Sequence, residues 1–188
     1  HTARVIETLI DKTFEQQYIS VVQGNGAEVV PALMDEHSFD HVFFTGSEPV
    51  GKKIAEQAAQ KLTPVTLELG GKSPAIVDQT ANLKVSARRI AWGKFFNVGQ
   101  TCVSPDYVLV HESVKEDFIN EMRQVIWEFY GDMHPNHPDF AHIVNEKRFD
   151  ILQSYLSQGR ILLGGETDRD HLYIAPTLMD DISMESPI

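Results

Sequence analysis

The sequence predicts an α/β fold, and three observations carry that expectation. Helical and strand-like periodicities alternate from the first residues. The alternation then repeats through the second half of the chain, the order expected of parallel, doubly wound sheets. The composition over 188 residues, 42% hydrophobic and 23% charged, is that of an ordinary soluble globular protein.

The elements follow in order. Val5, Ile6, Leu9, Ile10 and Phe14 recur at helical spacing, with Thr2 as the expected cap. Ile19 to Gln23 reads as a short strand ending at Gly24-Asn25-Gly26, a plain turn with no assigned role. A helix is predicted from Val30 to Glu36, with Pro31 in its first turn. His41 to Phe44 is a strand, the segment to about Gln60 a helix, and Val65 to Leu69 another strand. In the second half, Ala75 to Val77 is a strand and Leu83 to Lys94 a helix. Tyr107 to Val110 is a strand, and Val114 to Tyr130 forms the longest helix. Gly131 to Asp139 is a surface loop, followed by a helix over Arg148 to Ser157. Strands over Ile161 to Leu163 and Leu172 to Leu178 close the chain.

Charge and cysteine content narrow the function. A net charge of −11 argues against nucleic acid and anionic membrane surfaces, which call for a concentrated positive face. No apolar run is long enough for a transmembrane helix, and no signal-peptide pattern is present. One cysteine allows no disulfide framework, so a reducing, cytoplasmic compartment is expected. The ends, His1 and Glu185-Ser186-Pro187-Ile188, read as those of a fragment of a longer protein.

Three motifs carry chemistry. Cys102, the lone thiol, stands in Phe95-Phe96-Asn97-Val98-Gly99-Gln100-Thr101-Cys102. It is either a small buried hydrophobe or a reactive nucleophile, and its small, polar neighbours suit the nucleophile. Glu68, in Thr66-Leu67-Glu68-Leu69-Gly70-Gly71-Lys72-Ser73-Pro74, is a carboxylate among apolar residues. It is either a general base, helped if burial raises its pKa, or a buried structural acceptor. Gly46-Ser47-Glu48-Pro49-Val50-Gly51 joins a predicted strand to a helix, where free N–H groups and the helix dipole meet an anion. Its spacing is not that of a P-loop, and a flexible strand-to-helix turn would read the same. Other candidates are weaker: His134 and His137 lack further zinc ligands, so no metal site is expected. Lys52 and Lys53 read as solvated helix residues, and no Gly-x-Ser-x-Gly elbow appears.

Taken together, the Leu67–Pro74 and Gly99–Cys102 signatures resemble the NAD(P)-dependent aldehyde dehydrogenase superfamily. Phe44-Thr45-Gly46-Ser47 and Ile174-Ala175-Pro176-Thr177 look like that family too. The runs Thr63-Pro64-Val65-Thr66 and Ser104-Pro105-Asp106-Tyr107 are most similar to its class-3, fatty-aldehyde-like branch. The resemblance covers essentially the whole chain. It implies a partial Rossmann-like cofactor lobe over residues 1–67 and a partial α/β catalytic lobe over 68–188. Cys102 would attack the aldehyde, with its backbone N–H as half of an oxyanion hole, and Glu68 would activate the hydrolytic water. Gly46, Ser47 and Gly51 would lie near the pyrophosphate of NAD or NADP, Val50 against the adenine, and Leu69 with Gly70 near the nicotinamide, with Thr45 also in the cofactor site. The same resemblance implies an aldehyde substrate and a homodimeric full-length protein.

The family pattern also runs beyond this chain on both sides. An oxyanion-hole asparagine, an adenosine-ribose lysine and the acidic residue that influences NAD against NADP would precede His1. A Glu-Ile-Phe-Gly-Pro motif, whose glutamate holds the nicotinamide ribose, would follow Ile188, as would the segment that mediates subunit exchange. An uncovered sheet edge and apolar face are therefore expected. The chain made alone should be poorly soluble or loosely folded and should not turn over aldehydes. A non-catalytic binding relative and a CoA-acylating dehydrogenase or acyl transferase stand as alternatives. Glu68 favours hydrolysis over transfer to a thiol.

Overall fold

The computed structural model describes residues 1–132 and 134–188. They form an α/β protein of two compact units, His1–Leu69 and Gly70–Ile188.

The first unit opens with α1 (Thr2–Thr13), whose apolar stripe is present but buries no residue. Thr2 is its first helical residue, not its cap; His1 holds the cap position without a side-chain hydrogen bond. Residues 19–23 form no strand. A strand persists by exchanging ladder hydrogen bonds with a neighbour, and this segment pairs with none among the described residues. Helix α2 (Gly26–Glu36) starts earlier than the apolar pattern indicates, because the Asn25 side chain accepts the Ala27 N–H at 3.1 Å. Pro31 consequently lies inside the helix, beyond its first turn. At the other end of α2, Lys61 Nζ donates to the carbonyls of Met34, Asp35 and His37 at 2.7, 2.7 and 3.0 Å. A cation there completes orphan carbonyls and opposes the negative end of the helix dipole.

Strand β1 (Val42–Thr45), helix α3 (Glu48–Ala59) and strand β2 (Val65–Glu68) make a βαβ unit. The strands run parallel, in register from Val42 opposite Val65 to Thr45 opposite Glu68. Helix α3 buries Gly51, Ile54 and Ala58, which share one face at three- and four-residue spacing. Ile54, Ala58 and Met34 form the whole buried core of this unit, fringed by Val30, Val42, Phe44 and Val65. Phe43, alternate to Phe44 on β1, is 68% exposed on the opposite face.

The second unit repeats the design. Strand β3 (Ser73–Val77), helix α4 (Leu83–Phe95) and strand β4 (Pro105–Val110) form a second parallel βαβ unit. Its register slips between Ser73 and Pro74, where proline can donate no ladder bond. Helix α5 (Lys115–Tyr130) follows, burying Phe118, Ile119, Met122, Val125 and Ile126. With Val77, Ala87, Ala91 and Phe95 these build the main core. The outer face of the strand pair is open, with Ile76 at 76% exposure. The described residues of the 131–139 loop carry no helix or strand; Met133 lies outside the described residues.

Helix α6 (Glu146–Tyr155) leads into four short strands: β5 (Arg160–Leu163), β6 (Thr167–Asp168), β7 (Tyr173–Ile174) and β8 (Leu178–Asp180). The single strand expected over 172–178 is thus two. β7 pairs antiparallel with β6, and β8 pairs antiparallel with β5. Pro176, which has no N–H, stands between them and interrupts the ladder. Among the described residues all ladders are two-stranded, two parallel and two antiparallel. The fold class is α/β as expected, but a continuous doubly wound parallel sheet does not form within the described residues.

Candidate active site

In the first unit the strand-to-helix turn sits where a phosphate site needs it. Thr45 ends β1, and the Gly46 N–H donates to the Glu68 carbonyl at 3.0 Å, closing the turn against β2. Ser47 holds the cap position of α3 but makes no side-chain cap bond. Its carbonyl accepts the N–H groups of Val50 and Gly51 at 3.1 and 2.9 Å. The N–H groups of Ser47 and Glu48 find no acceptor among the described residues, so two donors remain for an anion. Pro49 loses nothing in this first turn, where its missing N–H would be unpaired anyway.

Gly51 is glycine for a packing reason. A Cβ there would lie 2.9 Å from Leu69 Cδ2, so any side chain would push Leu69 away from the turn. Glu48 counts against an anion at this helix end, but Lys52 Nζ holds its carboxylate at 2.7 Å. The hydrogen bond and charge of Lys52 keep the Glu48 carboxyl below its usual pKa. Lys52 is thus a solvated helix residue, as expected, with a local partner one turn back. Val50 is exposed beside the turn, free to meet a flat apolar ring. The two unspent N–H groups of this turn could hold an anionic group such as a pyrophosphate.

Glu68 closes β2 and is exposed, not embedded. Strand alternation explains this: Leu67 and Leu69 turn toward Gly51, while Glu68 points to the other face. The apolar neighbours in sequence are therefore not its neighbours in space. No hydrogen bond or ion pair engages its carboxylate among the described residues, which removes the reading as a buried structural acceptor.

In the second unit Cys102 is a free, exposed thiol on the loop between α4 and β4. That exposure removes the alternative of a buried core cysteine. The loop begins in a strained turn, with Asn97 and Val98 both at φ 51° and Gly99 at φ 77°. Left-handed backbone at a β-branched valine costs about 1–3 kcal/mol and persists only where surroundings enforce it. The Gln100 side chain supplies part of that enforcement. Its Nε2 donates to the His142 carbonyl at 3.1 Å, and its Oε1 accepts the Val144 N–H at 2.9 Å. On the far side of the thiol, the buried Ser104 hydroxyl donates toward the carbonyls of Gly93 and Lys94 at 3.4 and 3.3 Å.

The glycine pair after Glu68 reaches this loop as well. A Cβ on Gly71 would lie 3.1 Å from the Cys102 carbonyl oxygen, so the Gly70-Gly71 turn rests against the thiol's backbone. Gly70 itself faces open space. The Cys102 N–H donates to no acceptor among the described residues, leaving it available to an oxyanion. Gln100 and Gly71 lie in the motif runs around Cys102 and Glu68, yet nothing in residue order reveals these contacts.

His134 and His137 accept the N–H groups of Asn136 and Asp139 in local turns, both at 3.2 Å. Among the described residues no group of three or more His, Cys, Asp or Glu is placed to hold a metal ion. No helix among them is long and apolar enough to cross a membrane.

Residues 1–188 match the aldehyde dehydrogenase family along their whole length. The chain belongs to that family. It is 51% identical over 190 residues to the 4,4'-diaponeurosporen-aldehyde dehydrogenase of Staphylococcus aureus, covering all of this chain and 41% of that protein. Two further relatives are each 40% identical over 188 residues. They are aldehyde dehydrogenase family 3 member A2 of Mus musculus and the dimeric NADP-preferring aldehyde dehydrogenase of Rattus norvegicus, of which the chain covers 38% and 41%. A solved Staphylococcus aureus AldH in a substrate-bound state superposes with a TM-score of 0.88 at 50% identity, over 98% of this chain and 40% of that one. The chain thus spans about two-fifths of the length of these aldehyde dehydrogenases.

Proposed function

We propose that the protein containing this chain is an NAD(P)-dependent aldehyde dehydrogenase that oxidises an aldehyde to its carboxylic acid. The observation that carries the reading is the Cys102 loop: an exposed thiol whose own N–H is unspent, held on a strained and anchored turn. A thiolate attacking the carbonyl carbon places negative charge on the aldehyde oxygen, and the Cys102 N–H is available to receive it. Leu69 and Gly70 would hold the nicotinamide, which when bound would supply the hydride acceptor, leaving the acyl group on Cys102 as a thioester. Glu68, exposed and unpaired, then takes a proton from the water that hydrolyses the thioester and frees the thiol.

The first unit fits the cofactor role, through the Ser47 and Glu48 N–H groups, Gly46, the Thr45 strand end, Gly51, Val50 and Leu69. The second unit carries the nucleophile, with Gly70 and Gly71 leading into it. A reducing cytoplasmic setting, which keeps a lone exposed thiol free, and a homodimeric full-length protein complete the reading.

The test is a Cys102→Ser substitution in the full-length protein, assayed with fatty and aromatic aldehydes, NAD and NADP, with and without CoA. Loss of NAD(P)H formation by at least 1000-fold is expected. Retained hydride transfer would overturn the assignment, and turnover that requires CoA would replace hydrolysis by acyl transfer.

A further inference from the structure

A charge arrangement flanks the nucleophile loop that the proposed chemistry does not use. Asp106, the second residue of β4, faces Lys72 through Oδ2 and lies 3.6 Å from Lys94 Nζ through Oδ1. The two lysines come from different places: Lys72 follows the Gly70-Gly71 turn, and Lys94 belongs to the last turn of α4. Each also touches the loop or adjoins a residue that does. Lys94 packs under Gly99, where a Cβ would lie 3.4 Å from its Cε and 3.5 Å from its Nζ. Lys72 adjoins Gly71, whose missing side chain lets the turn lie against the Cys102 carbonyl. Val103, next to the thiol, is 75% exposed and adds no packing of its own.

We propose that Lys72, Asp106 and Lys94 form a charge bracket that fixes both ends of the Gly99–Asp106 loop and thereby positions Cys102. Asp106 is the positioning residue, and the inference rests on Cys102 being the nucleophile. The carboxylate joins three segments: the turn before β3, the end of α4 and the start of β4, of which only the two strand starts are also tied by a ladder, Ser73 opposite Pro105. Asp106 and Lys94 are largely shielded, with side chains 24% and 34% exposed, so water screens their attraction only in part. Burial lowers the Lys94 pKa and the nearby Lys72 charge adds to that, while the Asp106 carboxylate opposes both. Without it, two ammonium groups would face each other across the loop with nothing between them.

The charge account and a packing account diverge sharply. Asp106→Asn is isosteric, so packing alone predicts no effect. Charge predicts that it is the worst single change, because it leaves the two lysines repelling. The measurement is the rate at which iodoacetamide alkylates Cys102 in the full-length protein, followed by mass spectrometry, beside steady-state kinetics.

Asp106→Asn should slow alkylation about tenfold or more and lower kcat in parallel, with the cofactor KM within twofold. Asp106→Glu should restore most of the rate. Adding Lys94→Met to Asp106→Asn should recover part of the loss by removing the repulsion. Alkylation of Asp106→Asn at the parental rate or faster, or a double variant slower than the single one, would overturn the bracket. Should Asp106→Asn fail to fold by circular dichroism, Lys72→Met at the more exposed lysine decides. A threefold or greater slowing supports the bracket, and an unchanged rate overturns it. If the parent oxidises no aldehyde but the alkylation order holds, the proposed function fails while the bracket stands.

Discussion

The two units use the same strand-helix-strand design yet differ in how much interior they own. The first buries Met34, Ile54 and Ala58 and little else, and its leading helix α1 buries nothing. The second packs α4 and α5 over β3 and β4 around Phe95, Phe118, Met122 and Ile126. Hydrophobic stabilisation scales with apolar area removed from water, so the second unit has the larger stabilising interior. The division matches the chemistry each is proposed to perform. A nucleophile on a strained loop needs a rigid base, whereas a phosphate turn needs only two free N–H groups and a close glycine. A bound dinucleotide would also stabilise the unit that holds it by mass action.

Core truncations probe this contrast most strongly. Phe149 is 0% exposed in the second unit, so Phe149→Ala should cost about 3–5 kcal/mol in denaturant unfolding. Ile54→Ala in the first unit should cost about 2 kcal/mol, the low end of its class, because a three-residue core can collapse around the cavity. An equal or larger loss at Ile54 would erase the distinction between the units.

A smaller, pH-dependent effect is expected where the late strands of the second unit are tied together. Arg160 donates to both oxygens of Asp180 at 2.9 and 2.6 Å, and Lys115 adds a contact at 3.1 Å. The Arg160 hydrogen bonds, then Lys115, hold the Asp180 carboxyl below the usual aspartate pKa. A carboxyl depressed in the folded state contributes stability above its unfolded pKa of about 3.9 and loses it as pH falls through the folded value. Asp180→Asn should therefore lower the melting temperature at pH 7, with the gap to the parent closing below about pH 4. A gap independent of pH would mean that Asp180 acts through shape rather than charge.

The smallest effect belongs to α1. Leu9→Ser should change the stability of this 188-residue chain by less than about 0.5 kcal/mol, since no residue of the helix is buried. A loss of 2 kcal/mol would show that α1 packs on something in solution and that the first unit has more core than three residues.

Much of this architecture is legible in residue order, and the failures have identifiable causes. Helices α3, α4 and α5 follow apolar periodicity because their buried faces are continuous. The start of α2 escapes periodicity because a side chain decides it: Asn25 makes the otherwise turn-like Gly26 helical. The segment 19–23 has strand composition but no partner, and composition alone cannot supply one. Pro176 splits the last strand, which its lack of an N–H signals in the sequence itself.

At the candidate site the motif residues Cys102, Glu68 and the Gly46 turn are readable as types. Their environments are not. Glu68 lies between two leucines in sequence but on the opposite face of the strand, so its exposure needs the pleat. The left-handed Val98 and the Gln100 anchor to residues 142 and 144 depend on contacts between remote segments.

The account rests on Cys102 as the nucleophile and Glu68 as the base of thioester hydrolysis. Glu68→Gln in the full-length protein tests it directly. Mixed with aldehyde and NAD or NADP, this variant should release one equivalent of reduced cofactor per active site in a burst, then turn over at least 100-fold more slowly than the parent. Intact-mass and peptide mapping should find the acyl group on Cys102. A variant that hydrolyses as fast as the parent, or an acyl group on any other residue, would contradict the account.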